Sequence, residues 1–153
     1  MDDNTALAQF KRGMELLRKG YSSEAVDFMR RAAELEQHNP YYLSFLGLSV
    51  ARAQREWQTA TKLCETALSS KRDEAQFYVN LAEVYVASGR RDDAVTVLDR
   101  ALSYCPKDAR ILRMRGKLGR RNTLVLSFLS RGHFLNRNLG KLRQKISERL
   151  RAS

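Results

Sequence analysis

The chain has 153 residues, 43% of them hydrophobic, with only two prolines and two cysteines. That is one domain's worth of chain, long enough to bury a core without disulfides or a structural metal. The net charge of +11 is unevenly placed: residues 1–106 hold 14 Lys/Arg against 15 Asp/Glu, and residues 107–153 hold 14 against 2, so a neutral body runs into a basic third.

In chain order, the first segment keeps Gly13, Leu16 and Gly20 at helical spacing and leads into "SSEAVDFMRRAAEL". Pro40 then opens a second unit, as a proline in the first turn of a helix does. That unit carries Leu43, Leu46, Gly47 and Val50, followed by "WQTATKLCETALSS". A third unit carries Tyr78, Leu81, Ala82 and Tyr85, then Ser88-Gly89 and "RDDAVTVLDRALSY". Gly89 suits the left-handed residue that ends a helix, and Asp92 and Asp93 suit the positive N-terminal end of the next. The three quoted segments align as Ala25/Met29/Ala32, Ala60/Cys64/Ala67 and Ala94/Leu98/Ala101. Spacings of four and three place each triplet on one helix face, where small residues let another helix come close.

A helix–turn–helix pattern recurring at 35 and then 34 residues resembles the tetratricopeptide repeat. The resemblance covers roughly residues 5–106 and implies an all-α solenoid of three TPR hairpins. Two departures stand out. Gln9 and Arg12 occupy places that are usually apolar, so the first helix is expected to be shifted or exposed. Gln54-Arg55 replaces the turn glycine of the second repeat, so an irregular turn is expected there. Asp108 is placed to cap a further helix, "ARILRMRGKL", whose Ile111, Leu112 and Leu118 are available to cover the third repeat. A solenoid needs such a cap. The expected division is residues 5–119 as solenoid plus capping helix, and 120–153 as a basic C-terminal extension.

In this family the first helix of each repeat lines a concave groove. Carried over by position, that surface consists of Phe10, Met14 and Leu17, then Tyr41, Phe45 and Leu48, then Val79, Asn80 and Glu83. Arg110, Arg113 and Lys117 follow from the capping helix. Such a groove is apolar at one end and basic at the other, although Phe10 and Leu17 equally suit packing between helices. Some relatives grip a C-terminal carboxylate with a Lys/Asn/Arg clamp. Here Asn80 stands at one clamp-like place, but Phe10 and Met14 stand where the first repeat needs Lys and Asn, so binding of that kind is not expected. An apolar groove fits a helix or extended segment with apolar anchors.

Little points to catalysis. His38 and His133 lie in turn-like stretches, no HExxH, GxSxG or phosphate-loop motif occurs, and no cofactor or metal is expected. Cys64 and Cys105 are 41 residues apart without zinc spacing and read as reduced thiols. The acidic start "MDDN" lacks an apolar core, and the longest apolar run, residues 124–129, is too short to span a bilayer. A cytoplasmic, non-catalytic protein is expected.

Beyond residue 119, "NTLVLSFL" is apolar and too short for periodicity to decide its conformation. Leu135, Leu139, Leu142, Ile146 and Leu150 then form one helical stripe, with Arg137, Lys141, Arg143, Lys145 and Arg149 on the remaining faces. A terminal amphipathic helix that buries its leucines and turns charge outward is the first reading. Docking an acidic protein, lying on a membrane surface and binding nucleic acid follow in that order. The function these features favour is a protein–protein interaction scaffold, an adaptor or chaperone-like protein, holding an apolar partner segment with acidic residues. The alternative is a membrane-surface- or nucleic-acid-associated protein acting through the extension.

Overall fold

A computed structural model describes residues 5–119. All regular structure among them is helical: α1 (Ala6–Lys19), α2 (Ser22–Leu35), α3 (Pro40–Gln54), α4 (Trp57–Ser70), α5 (Ala75–Ala87), α6 (Arg91–Tyr104) and α7 (Ala109–Gly119). The residues of the expected basic extension, including Arg137, Lys141, Arg143, Lys145 and Arg149, lie outside the described residues.

Side-chain caps start α1, α3, α5 and α7, whereas α2, α4 and α6 begin without one. The Thr5 hydroxyl accepts from the Ala8 amide at 3.2 Å, and the Asn39 side chain accepts from the Tyr41 amide at 3.1 Å just ahead of Pro40. Such caps satisfy amides that no intrahelical carbonyl reaches, each contributing about 1 kcal/mol. Gly20 and Gly89 take φ of 87° and 79°. Their turns close with the Tyr21 amide on the Leu16 carbonyl at 2.9 Å and the Arg90 amide on the Tyr85 carbonyl at 2.8 Å. Both are left-handed helix ends. Arg55 adopts the same hand, with φ 57°. The second turn shares its neighbours' hand, with a residue whose Cβ makes that conformation costly, but not their closing bond, since the turn bond there runs from the Trp57 amide to the Arg55 carbonyl; it is irregular in that sense, as expected.

Helices α1/α2, α3/α4 and α5/α6 pack as hairpins, α2 against α3 and α4 against α5 join them, and α3 also touches α1 and α5. All nine residues of the alanine triplets are fully buried. They sit at the closest crossings. A methyl at Gly13 would lie 2.9 Å from the Met29 Cε, and one at Gly47 would lie 2.8 Å from both the Ala60 carbonyl oxygen and the Cys64 Sγ. The small residues let backbones approach, and Met29, Cys64 and Leu98 fill the space between. Burying Met29 or Leu98 in this way contributes about 1.5–3 kcal/mol each.

The first helix is neither shifted nor detached. Gln9 is buried, while Arg12 is exposed and pairs with Glu15 at 3.0 Å. At the other end Asp108 accepts from the Arg110 and Ile111 amides at 2.9 and 3.4 Å, which starts α7. Ile111 and Leu118 bury against the solenoid as expected, but Leu112 is 50% exposed. Arg91 closes the far end of α7 by donating to the Leu118 carbonyl at 2.9 Å. No helix among the described residues is long and apolar enough to cross a membrane.

Candidate functional site

A cleft of about 540 Å³ opens on the side of the solenoid formed by the first helix of each hairpin. Its lining comes from three helices only. Met14, Glu15, Leu17 and Arg18 belong to α1, Phe45, Leu48 and Arg52 to α3, and Gln76, Asn80 and Glu83 to α5. Within α3 and α5 these positions are three, four or seven apart, so each offers one face, and α1 contributes two adjacent pairs one turn apart. Met14, Leu17, Phe45 and Leu48 make an apolar patch, and α5 supplies a polar wall.

The charges in the lining balance. Glu15 accepts from Arg12 at 3.0 Å and from Lys19 at 2.5 Å. Those two bonds, the one from Lys19 foremost, hold its carboxyl below the usual range. Glu83 pairs with Arg52, which ties α5 to α3 across the cleft. Arg18 has no ion-pair partner among the described residues.

The polar wall is largely committed to itself. Asn80 is fully buried: its Nδ2 donates to the Ser44 Oγ at 2.9 Å, and its Oδ1 accepts from the Gln76 Nε2 at 2.8 Å. Arg110 of α7 in turn donates to the Gln76 Oε1 at 2.8 Å. The Ser44 carbonyl accepts from the Cys64 Sγ at 3.5 Å. This chain of bonds links α4, α3, α5 and α7 and leaves buried polar groups satisfied. A molecule entering the cleft meets the Gln76 side chain before it meets Asn80.

The other expected groove residues, Phe10, Tyr41, Arg110, Arg113 and Lys117, are not among those that line the cleft. Phe10 is half-buried beside it, its ring 5.5 Å from Phe45 in an edge contact and 4.8 Å from Tyr42. Tyr41 lies further along α3. It donates to Glu74 at 2.6 Å, accepts from the Lys71 Nζ at 3.1 Å and meets Phe77 edge-on. Arg110, Arg113 and Lys117 are exposed on α7, and Arg110 is held to Asp108 at 2.8 Å. Glu15, Arg18, Arg52 and Gln76 line the cleft without having been singled out in the sequence. They lie one helical turn or less from Met14, Leu48 and Asn80, and that adjacency is the signal that marks them.

Reactive chemistry is sparse in this region. Burial pushes the Cys64 thiol up to about 12, which keeps it protonated and inert. Burial also raises the half-buried Cys105, whose Sγ lies 3.2 Å from the Asp73 carbonyl. No group of three or more His, Cys, Asp or Glu able to hold a metal occurs among the described residues.

A tetratricopeptide repeat family model matches residues 6–39, and a second one matches residues 51–118. The chain belongs to the tetratricopeptide repeat family. Solved TPR structures superpose on it closely. The first TPR domain of Spaghetti (RPAP3) bound to an HSP90 peptide does so with a TM-score of 0.63 at 18% identity, covering 78% of this chain and 96% of that one. The second TPR domain of human RPAP3, in complex with an HSP70 peptide, gives 0.62 at 14% identity, with 75% and 95% covered. A TPR protein of Thermus thermophilus gives 0.67 at 21% identity, with 74% and 64% covered. At these identities the likeness is one of fold. No curated protein sequence matches the chain.

Proposed function

We propose that this TPR protein is a non-catalytic interaction scaffold, of adaptor or chaperone-like type, that holds a segment of a partner protein in the α1/α3/α5 cleft. The observation that carries this reading is the apolar patch of Met14, Leu17, Phe45 and Leu48 inside a cleft where Glu15, Arg52 and Glu83 are already paired. A cavity of that size and lining takes a few apolar side chains from a ligand. The RPAP3 domains hold HSP90 and HSP70 peptides, which supports peptide binding on this architecture. The partner's apolar residues would enter over Met14 and Phe45, with Leu48 and Glu83 bounding them. Phe10 and Tyr41 would fix the shape of the neighbouring surface, and Asn80 would hold Gln76 in place beneath the ligand. Arg110, Arg113 and Lys117 would draw acidic residues of the segment toward α7. A carboxylate clamp is disfavoured, because Asn80 is turned to Ser44 and Gln76 rather than to the cleft. The basic extension of residues 120–153 would act as an accessory to this solenoid, in the cytoplasm.

The test uses peptides selected from a random library on the wild-type protein. Met14→Glu places a charge on the apolar patch at a half-buried position. Selected peptides are expected to share spaced apolar anchors and to lose about tenfold or more in affinity to this variant, at unchanged helicity. Peptides that bind Met14→Glu as tightly as wild type would refute the cleft as the binding site.

A further inference from the structure

We infer that Lys11 and Arg18 of α1 read the charge of the segment held in the cleft, and select an apolar side chain flanked on both sides by carboxylates. The inference rests on the cleft reading above and deepens it by naming what the partner's sequence carries.

Helix α1 holds four cations, Lys11, Arg12, Arg18 and Lys19, against the single carboxylate Glu15. Glu15 is shared between Arg12 and Lys19, at 3.0 and 2.5 Å. Lys11 and Arg18 are exposed and have no carboxylate partner among the described residues. Both stand on the same side of Met14 around the helix axis, at about 60° for Lys11 and about 40° for Arg18. Lys11 comes three residues before Met14 and Arg18 four after it, so each is one turn away along the helix. The half-buried Met14 therefore sits between two unmatched cations. Arg18 lines the cleft together with Met14 and Leu17, facing Phe45 and Leu48 of α3.

Charge complementarity selects an anionic occupant, and the lining decides which kind. Glu15 and Glu83 belong to the same lining. A phosphate backbone laid across it meets those carboxylates and gains nothing from the apolar patch. A single-headed amphiphile supplies one anion where two cations stand. A protein segment satisfies both features at once. One apolar side chain enters over Met14, and acidic side chains on either side of it reach Lys11 and Arg18. A basic residue at either flanking place meets a like charge, so the two cations also exclude wrong partners.

The test adds charge reversal to the library selection. Peptides selected on the full wild-type chain are expected to carry Asp or Glu on both sides of an apolar anchor. They are expected to bind Arg18→Glu about tenfold more weakly, Lys11→Glu severalfold more weakly, and Arg30→Glu unchanged. Arg30→Glu makes the same charge change on α2, which contributes nothing to the cleft lining. Exchanging one flanking acid for Lys is expected to restore binding to Arg18→Glu and to weaken binding to wild type. Exchanging the other is expected to do the same for Lys11→Glu. All three substituted positions are exposed, and matching thermal melts establish that the variants fold. Peptides that lose affinity for Met14→Glu yet bind Arg18→Glu and Lys11→Glu as they bind wild type would overturn the inference and leave the cleft reading standing. Peptides that ignore Met14→Glu would overturn both. Duplex DNA or decanoate that displaces the peptides with the same dependence on Arg18 would also overturn the inference.

Discussion

Replacing Gly47 by alanine should destabilise the protein, against the ordinary effect of that substitution in a helix. Gly47 lies within α3, where alanine is better than glycine by about 1 kcal/mol on propensity alone. The added methyl, however, would stand 2.8 Å from the Ala60 carbonyl oxygen, 2.8 Å from the Cys64 Sγ and 3.2 Å from the Leu63 Cβ. The first of these is backbone, which cannot rotate away, so α4 must retreat from α3 by several tenths of an ångström. Overpacking of this kind costs about 2–3 kcal/mol, and subtracting the propensity gain leaves a net loss of about 1–2 kcal/mol. Two other glycines calibrate the result. At Gly116 nothing lies within 4 Å of the added methyl, so Gly116→Ala should stabilise by about 0.5–1 kcal/mol. At Gly13 the obstacle is the flexible Met29 side chain at 2.9 Å, so Gly13→Ala should fall between them. Urea unfolding followed by circular dichroism gives the order directly: Gly116→Ala above wild type, then Gly13→Ala, then Gly47→Ala. A Gly47→Ala protein as stable as wild type would refute the reasoning that close α3/α4 approach fixes this hairpin.

Arg55→Gly should stabilise the fold by roughly 1 kcal/mol, since Arg55 holds φ 57° at the turn that glycine occupies elsewhere; an unchanged urea midpoint would mean that the left-handed turn carries no strain. Asp108→Ala should cost about 1 kcal/mol through the lost cap of α7, and Asp108→Asn much less, because asparagine caps as well. The hydrogen bond from Arg110 holds the Asp108 carboxyl down to about 2. Its ionic contribution is therefore complete above about pH 4 and disappears as pH falls toward 2, so the gap between wild type and Asp108→Asn should close over that interval in acid titrations of stability. In native protein a thiol reagent should modify Cys105 long before Cys64, which is fully buried; equal labelling rates would show that the α3/α4 core opens readily.

The repeat was legible because its signal lies in small residues at fixed spacing: Ala25, Ala60 and Ala94 and their companions sit at helix crossings and tolerate nothing larger. The left-handed turn at Arg55 was not legible, because the tertiary packing of α3 on α4 imposes a conformation that the arginine itself disfavours. Leu112 was expected to cover the third repeat, but Ile111 and Leu118 already fill that face of α7. The site was only partly readable. Met14, Phe45, Leu48 and Glu83 lie where the repeat pattern puts them. Helices α3 and α5, however, are buried over most of their circumference, with Ser44 through Ala51 and Phe77 through Ala82 buried without interruption. Periodicity then cannot tell the cleft face from the core face: Asn80 borders the cleft, yet it is fully buried and bonded to Ser44 and Gln76. Glu15, Arg18 and Arg52 escaped for the opposite reason: charged residues on a helix read as solvent face until a neighbouring turn shows a cleft beside them.

The central claim is that the α1/α3/α5 cleft holds a partner segment by its apolar anchors. Methyl NMR of the full chain, titrated with a library-selected peptide, tests it most directly. The predicted result is that the Met14, Leu17 and Leu48 methyls shift first and furthest, saturating together with the peptide's apolar side chains in contact with them. Shifts confined to residues outside the cleft, with these three methyls unmoved at saturation, would contradict it.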